Sequence, residues 1–267
     1  MLRGIQALAN RASAQNGLAQ CMRAMSTTPR SKPGIYEVRT YTLKPEGFAP
    51  YVQMAIEYGD LRKQVNPHLL GFFTTEVGGC LHQVKHIYHY EDLNHREQVR
   101  KSMSKVKEWA HEYLPKSRVH VSHQESMIFV EAADCHTAAG IPSAVDFVSP
   151  AKPSDPDAPT PVYELRTYQC RLGYDTVPKL RAHMASGLPS KVEADKKGQL
   201  VMYASSDVGV LNNVIEIWRY PSFQGSLEAR QAARTAQPWK DAVANVASLA
   251  NSFTTQFLAP VSISKWQ

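Results

Sequence analysis

The chain has 267 residues, of which 43% are hydrophobic and 20% are charged, and a net charge of +6. This ordinary globular composition excludes a disordered or low-complexity chain, and no apolar run approaches the ~20 residues that a membrane-spanning helix needs. The four cysteines are scattered without a Cys-x-x-Cys pair. That pattern excludes a small disulfide framework and favours a reducing compartment.

The first segment, residues 1–33, is basic and lacks acidic residues, since the first acid in the chain is Glu37. Its Leu and Ile residues recur at helical spacing with arginines off that stripe, which is typical of a mitochondrial transit peptide. The sequence from Arg23 to Ser26 predicts cleavage before Ser26; the alternative is a basic tail with no targeting role. Removing the three arginines before Ser26 lowers the net charge from +6 to +3. The basic excess is therefore local, and no nucleic-acid partner is expected.

The rest of the chain contains an internal repeat. The heptapeptide Ile-Tyr-Glu-Val-Arg-Thr-Tyr at 35–41 returns as Val-Tyr-Glu-Leu-Arg-Thr-Tyr at 162–168, an offset of 127. Four later markers return at an offset of 130: Leu81 as Leu211, Val84 as Val214, Tyr90 as Tyr220 and Trp109 as Trp239. A nearly constant offset over such separated markers indicates duplication of one unit.

The first unit, 34–133, predicts six elements in the order strand, helix, strand, strand, helix, strand. These are a strand over 34–42, a helix from Phe48 to Gly59, strands over 71–75 and 81–90, a helix from Val99 to Tyr113 ended by Pro115, and a strand over 119–130. Between the units, 134–161 contains six prolines, which predict a semi-extended linker along the surface. The second unit, 162–267, repeats the order, with helices near 176–196 and 226–250 and a last strand near 252–263.

The order β-α-β-β-α-β is that of a ferredoxin-like unit in the α+β class. Helices cover only one face of such a four-stranded sheet, so the other face must be buried elsewhere. The duplication supplies that cover within one chain. The sequence therefore predicts two tandem units whose sheets pack face to face as a pseudo-twofold α/β barrel.

These pieces resemble the NIPSNAP family, whose members carry two tandem units of the dimeric α/β-barrel class. The resemblance covers about 34–267 and rests on Tyr-Glu-x-Arg-Thr-Tyr near each unit's start and on an aromatic strand ending in Tyr90 or Tyr220. It implies mitochondrial residence and protein partners, mitochondrial or autophagy-related, in trafficking or mitophagy signalling. Peripheral membrane association and homo-oligomer formation are also compatible with it.

Strand alternation places polar and aromatic residues on a shared face of each unit. The candidate ligand-binding residues are Glu37, Arg39, Tyr41, His86 and Tyr88 in the first unit and Glu164, Arg166, Tyr168, Glu216 and Trp218 in the second. We expect both sets to face the interior between the two sheets, with the Tyr36 and Val38 side under helices. Two interpretations stay open: a polar-aromatic pocket for a planar or anionic ligand, and buried charges that pair across the pseudo-twofold axis.

Catalytic and metal-binding signatures are weak. His82 and His86 would lie roughly 13 Å apart on a strand, at ~3.3 Å per residue, so no metal site is expected. The sequence has no P-loop, dinucleotide fingerprint or nucleophile elbow. The leading hypothesis is thus a mitochondrial, non-enzymatic interaction protein without a cofactor. The alternative is a small-molecule or haem-binding barrel protein or enzyme.

Overall fold

The structure, a computed structural model, describes residues 34–151, 154–155 and 157–267; the predicted leader, 1–33, lies outside the described residues. The strands are β1 (Ile35–Leu43), β2 (Leu69–Val77), β3 (Gln83–Tyr90), β4 (Val121–Glu131), β5 (Val162–Cys170), β6 (Gln199–Val208), β7 (Asn213–Tyr220) and β8 (Ala250–Pro260). The α-helices are α1 (Phe48–Glu57), α2 (Gly59–Val65), α3 (Leu93–Met103), α4 (Leu114–Arg118), α5 (Ala133–Ala139), α6 (Thr176–Ala194), α7 (Phe223–Ala233) and α8 (Gln237–Ala247). A π-helical segment, Glu108–Tyr113, precedes α4.

The strands form one closed barrel that contains both units. Each unit contributes a four-stranded sheet, in the order β4-β1-β3-β2 for the first unit and β8-β5-β7-β6 for the second. The sheets are joined at both edges, because β2 pairs antiparallel with β8 and β4 pairs antiparallel with β6. The predicted α+β class and the barrel built from tandem ferredoxin-like units are confirmed.

Two predictions about the helices are wrong: the role of Pro115, and the single helix near 226–250. Pro115 does not end a helix; it lies in the first turn of α4, where its missing N–H has no intrahelical partner to lose. The predicted helix near 226–250 is two helices, α7 and α8, and Pro238 stands in the first turn of α8. The side chain of Asp92 caps α3, and that of Ser222 caps α7 at the corresponding position of the repeat.

The barrel interior is an apolar core that both units build. It includes Tyr36, Phe73, Ile87, Phe129, Tyr163, Leu165, Met202, Ile215 and Ile217. The expectation that the Tyr36 and Val38 side lies under helices is therefore wrong. The closed barrel shields its interior from water, so the more apolar face of each strand points inward.

The segment between the units contributes to this core, so its prediction as a surface linker is wrong for its first half. Helix α5 lies there, and Ala144 and Phe147 are buried among the barrel residues. Trp266 joins them, with its ring centroid 6.3 Å from that of Phe147. The carboxylate of Glu131 accepts hydrogen bonds from Tyr36 at 2.9 Å and from Ser143 at 2.8 Å, which fixes the segment to the barrel.

Candidate functional site

The structure groups the predicted site residues as expected but places them elsewhere. Tyr88 packs in a core with Tyr51 and Ala55 of α1. Trp218 packs in a different core with Leu180 of α6. The two polar-aromatic sets thus face the helices, each within its own unit, and the expectation that they meet between the sheets is wrong.

The first unit has a cavity of about 260 Å³ between its sheet and its helices, called here the first cavity. Its lining residues are Arg39, Tyr41, Tyr51, Arg62, His86, Arg100, Met103, Ser104, Trp109, Tyr113, Leu114, Ser117, Arg118, Val121 and Gln124. Arg100, Ser104, Arg118 and Gln124 are exposed at the mouth, and Tyr51, Arg62 and His86 are buried at the floor.

A buried ion pair supports the floor of the first cavity. Glu37 accepts a hydrogen bond from Arg39 at 2.7 Å, from Arg96 at 2.5 Å and from Ser126 at 2.7 Å. Burial alone would raise the pKa of Glu37, but the hydrogen bonds from the two arginines outweigh it and hold that pKa at about 2. Glu37 is therefore an anion at neutral pH whose oxygens are already occupied.

Arg62 is a buried cation with neutral partners. It donates to the hydroxyl of Tyr88 at 2.8 Å and to that of Tyr113, and it makes no salt bridge with any residue that the structure describes. Its guanidinium also lies 5.0 Å from the ring centroid of Trp109. Its Nε atom is buried without a hydrogen-bond partner among the described residues. A cation held only by phenols and aromatic faces leaves a net positive charge in the cavity.

His86 is the second unsatisfied group at the floor. It lies opposite Arg39 across the β1–β3 ladder, and its ring stacks on Phe72 at 4.3 Å between centroids. Its side chain is buried, yet neither ring nitrogen has a hydrogen-bond partner in the described part of the chain. Burial, followed by the charges of Arg62 and Arg39, lowers the pKa of His86 well below its ordinary value. The imidazole is therefore neutral at pH 7, with a free donor and a free acceptor.

The second unit has a matching cavity of about 280 Å³, called here the second cavity. Its lining residues are Arg166, Tyr168, Met184, Arg230, Ala233, Arg234, Trp239, Val243, Val246, Ala247, Ala250 and Phe253. The repeat offset relates most of the twelve to lining residues of the first cavity, including Arg166 to Arg39, Tyr168 to Tyr41, Arg230 to Arg100, Ala233 to Met103, Arg234 to Ser104 and Trp239 to Trp109. The two cavities are one duplicated feature.

The ion pair at the floor recurs in the second unit. Glu164 accepts from Arg166 at 3.0 Å, from Thr255 at 2.7 Å and from Arg230. Burial would raise the pKa of Glu164, but the charge of Arg166 and the hydrogen bonds to the carboxylate hold it at about 2. Both units therefore use a Glu held by two arginines and a hydroxyl.

The groups beside this ion pair differ between the units. Glu216 lies opposite Arg166 where the first unit has His86, and it accepts from Tyr168 at 2.6 Å and from Trp218 at 2.6 Å. Its carboxylate is thus satisfied inside the protein. The chemistry that His86 offers to a ligand is absent at this position.

The second difference is the partner of the floor cation. Lys191 occupies the position of Arg62 at offset 129, and its Nζ lies 3.1 Å from Asp195. Asn66 occupies the position that Asp195 has in the second unit. Both make the same backbone hydrogen bond: Asn66 N–H donates to the carbonyl of Arg62, and Asp195 N–H to that of Lys191, each at 2.8 Å. The first cavity therefore lacks two negative charges that the second unit carries.

Comparison with known proteins identifies the family. The model of the family described as NIPSNAP matches residues 36–136 and 163–265, one match in each unit. The chain belongs to the NIPSNAP family. Human NipSnap homolog 3A is 29% identical over 232 residues, which cover 84% of this chain and 81% of the relative. Mouse NipSnap homolog 3B is 27% identical over 90% of this chain and 89% of the relative.

A solved structure supports the barrel fold of this NIPSNAP chain. A candidate monooxygenase from Fusobacterium nucleatum subsp. nucleatum superposes with a TM-score of 0.60 over 86% of this chain and 93% of that one. The identity is 11%, so the likeness concerns the fold alone.

Sequence reasoning missed four buried polar residues of this NIPSNAP chain, of which one, Arg62, lines the first cavity. These are Arg62 and Asn66 in α2 and the turn after it, and Lys191 and Asp195 in the last turn of α6 and the loop after it. A signal was available, because extending the repeat at offset 129 aligns both pairs. Within the described ranges, no group of three or more His, Cys, Asp or Glu side chains could hold a metal ion. Nor does any helix there combine the length and apolarity needed to cross a bilayer.

Proposed function

We propose that this NIPSNAP protein binds a small planar organic anion in its first cavity. The observation that carries the proposal is His86, a buried imidazole with both nitrogens unpartnered beside two buried arginines. A buried polar group without a partner costs about 1–3 kcal/mol, so its retention favours a role toward a ligand. The aromatic lining favours a planar molecule.

The charge of the cavity selects an anion. Arg39 shares Glu37 with Arg96, while Arg62 faces only neutral groups. Arg100 and Arg118 add two exposed cations at the mouth. A cleft lined by one sign of charge raises the local concentration of the opposite sign. An aromatic carboxylate matches both the charge and the shape.

Calorimetric titration of the full chain with benzoate at pH 7 tests this proposal, with benzamide as a neutral ligand of the same shape. We expect saturable benzoate binding that is at least about tenfold tighter than that of benzamide, and a loss of about tenfold in the His86→Gln variant. Lys116→Gln removes an exposed charge of α4 that does not line the cavity, and it should bind like the native protein. Equal binding of the two ligands, or binding indifferent to His86, would overturn the proposal.

Haem stays an alternative ligand. His86 would be the residue that holds the haem iron, but a cavity of about 260 Å³ is smaller than the ~300–1,000 Å³ of drug-sized sites and favours a smaller anion than a porphyrin. Hemin titration followed at the Soret band, repeated with His86→Gln, separates the two. A band shift that depends on His86 would make haem the ligand and displace the proposal of a smaller anion.

A second role, through protein partners in mitochondria, rests on three other observations. The acid-free leader favours mitochondrial import, and the NipSnap relatives place the chain in a family for which trafficking and mitophagy roles are expected. The apolar side chains of Leu172, Tyr174 and Leu211 are exposed on two loops. A hydrogen bond joins these loops, because the side-chain amide of Asn212 donates to the carbonyl of Arg171 at 2.7 Å. Such a patch favours a protein contact.

Import into isolated mitochondria tests the localisation. We expect protease-protected protein shortened near Ser26, and no import after the three leader arginines are changed to Glu. Affinity capture from mitochondria should then recover partners that the Leu172→Ser and Tyr174→Ser double variant loses. Unprocessed protein outside mitochondria, or equal capture by both forms, would contradict this role.

A further inference from the structure

The second cavity has become apolar where the first cavity is polar. Three lining positions carry the change: Tyr113 corresponds to Val243, Ser117 to Ala247 and Gln124 to Phe253. Val243 and Ala247 lie one turn apart on α8, and both are exposed, so they line the mouth. Phe253 of β8 stacks on Tyr168 at 4.7 Å between ring centroids. An apolar molecule can therefore enter along α8.

Arginines line the other side of the second cavity. Arg166 comes from β5, Arg230 lies in α7, and Arg234 follows one turn later as the C-cap of α7. Glu164 binds the first two of these, whereas Arg234 is exposed and makes no salt bridge within the described residues. The Nε atom of Arg166 is also buried without a partner there. This wall offers an uncompensated cation and a free donor to a carboxylate.

The charged groups behind the cavity are already paired. Glu216 is satisfied by Tyr168 and Trp218, and Lys191 by Asp195. The hydroxyls of Tyr203 and Tyr220 are buried without a partner in the described ranges, but they are neutral and no imidazole corresponds to that of the first cavity. The unpaired charge of the site is thus confined to its arginine wall.

We infer that the second cavity is a separate binding site for an amphipathic monocarboxylate, a molecule with one acid group and an apolar chain. The acid group binds the wall of Arg166, Arg230 and Arg234, and the chain lies along Val243, Val246 and Phe253 of the opposite lining. This assignment does not depend on what the first cavity binds. A volume of about 280 Å³ suits a chain of medium length.

Titration of the full chain with decanoate, below its micelle-forming concentration, tests the site. Tryptophan fluorescence is the readout, because Trp239 lines this cavity. We expect saturable binding that methyl decanoate and decylamine do not reproduce. Trp239→Phe should remove most of the signal, while Trp109→Phe, the same change in the first cavity, should leave it.

Two mouth variants locate the ligand. Arg234→Gln should weaken decanoate binding about two- to fivefold, as loss of an exposed charge pair does. Ala247→Phe, an exposed position, should weaken it at least about tenfold by filling the mouth. Lys240→Gln, an exposed position of α8 outside the lining, and His86→Gln in the first unit should have no effect. No saturable decanoate binding, equal binding of methyl decanoate, or binding indifferent to both mouth variants would overturn the inference.

Discussion

The two cavities have one architecture, but the charges at their floors differ. Each lies between a four-stranded sheet and the helices of its own unit, above a buried Glu held by two arginines. In the second unit, Glu216 and Asp195 neutralise the floor, whereas His86 and Asn66 leave the first floor cationic. Two positions therefore separate a floor whose charges are paired from a floor with an unpaired cation.

The shared ion pair teaches which part of the repeat is structural. Arg96 and Arg230 both bind the buried Glu, but they are not at corresponding positions, because Arg230 corresponds to Arg100 one turn later in α3. The interaction is kept although the contributing residue differs. A buried carboxylate that lost its partners would be strongly destabilising, which explains why the pairing persists.

The largest expected effect comes from Asp195→Asn, which places in the second unit the residue that the first unit has at the corresponding position, Asn66. Lys191 would lose its carboxylate while buried, so the free energy of unfolding should fall by about 3–5 kcal/mol. Asn66→Asp, the reverse change in the first unit, should be neutral or stabilising because it pairs Arg62. Urea unfolding of both variants checks this; equal losses in both would show that the positions are not equivalent.

Next in size is the conversion of the first cavity to the second. His86→Glu combined with Asn66→Asp places two carboxylates at the floor, and repulsion of an anion costs several kcal/mol. Benzoate affinity should fall by at least about a hundredfold, while decanoate affinity at the second cavity stays unchanged. Unaltered benzoate binding in this double variant would remove the first cavity as the site.

A smaller effect follows from the two buried glutamates. The pKa of each is held at about 2 in the folded chain, below the ordinary 4.5, so each stabilises the fold above pH 4.5. That contribution, about 2–3 kcal/mol per carboxylate, should be lost as the pH falls from about 5 to 2. The Glu37→Gln variant should be less stable than the native protein at pH 7. Its free energy of unfolding should fall about half as much as that of the native protein between about pH 5 and 2. Parallel pH profiles would contradict the ion-pair account.

The smallest effect distinguishes a ligand group from a structural one. His86→Leu removes two unpartnered nitrogens and should raise the free energy of unfolding by about 1 kcal/mol. The native protein should lose stability as the pH falls below about 6.5. His86 is then protonated in the unfolded chain but stays neutral when it is buried in the folded chain. The variant should have a smaller slope, because His68 and His89, whose pKa values burial also lowers, remain. His111→Leu, at an exposed position, should keep the native slope. A destabilised His86→Leu variant would mean that the imidazole packs as part of the core.

The sequence predicts the fold and the grouping of the site residues, but not the side of the sheet on which they lie. Alternation correctly unites Glu37, Arg39 and Tyr41 on one face of β1. The expectation that the polar face borders the space between the sheets is wrong, because this face packs against the helices. The more apolar face carries Tyr36 in the first unit and Tyr163 in the second. This face lines the interior of the closed barrel. Which face the helices cover depends on both sheets together, and one strand does not encode it.

The cavities themselves depend on tertiary packing. Arg62 and Lys191 reach the floor from helices, so strand alternation could not reveal them. The repeat offset aligns them, but only the structure shows that one has a carboxylate partner and the other does not. An unpartnered nitrogen, such as those of His86, is a property of its surroundings and has no signature in the sequence.

The closed barrel also limits how a partner can dock on this chain. The edge strand β2 is used by β8, and the edge strand β4 by β6. A peptide that binds by adding a strand to a sheet needs a free edge, and none remains in the described barrel. Another protein that binds the described barrel must therefore contact helix surfaces and loop tips, where side chains rather than backbone amides specify the partner.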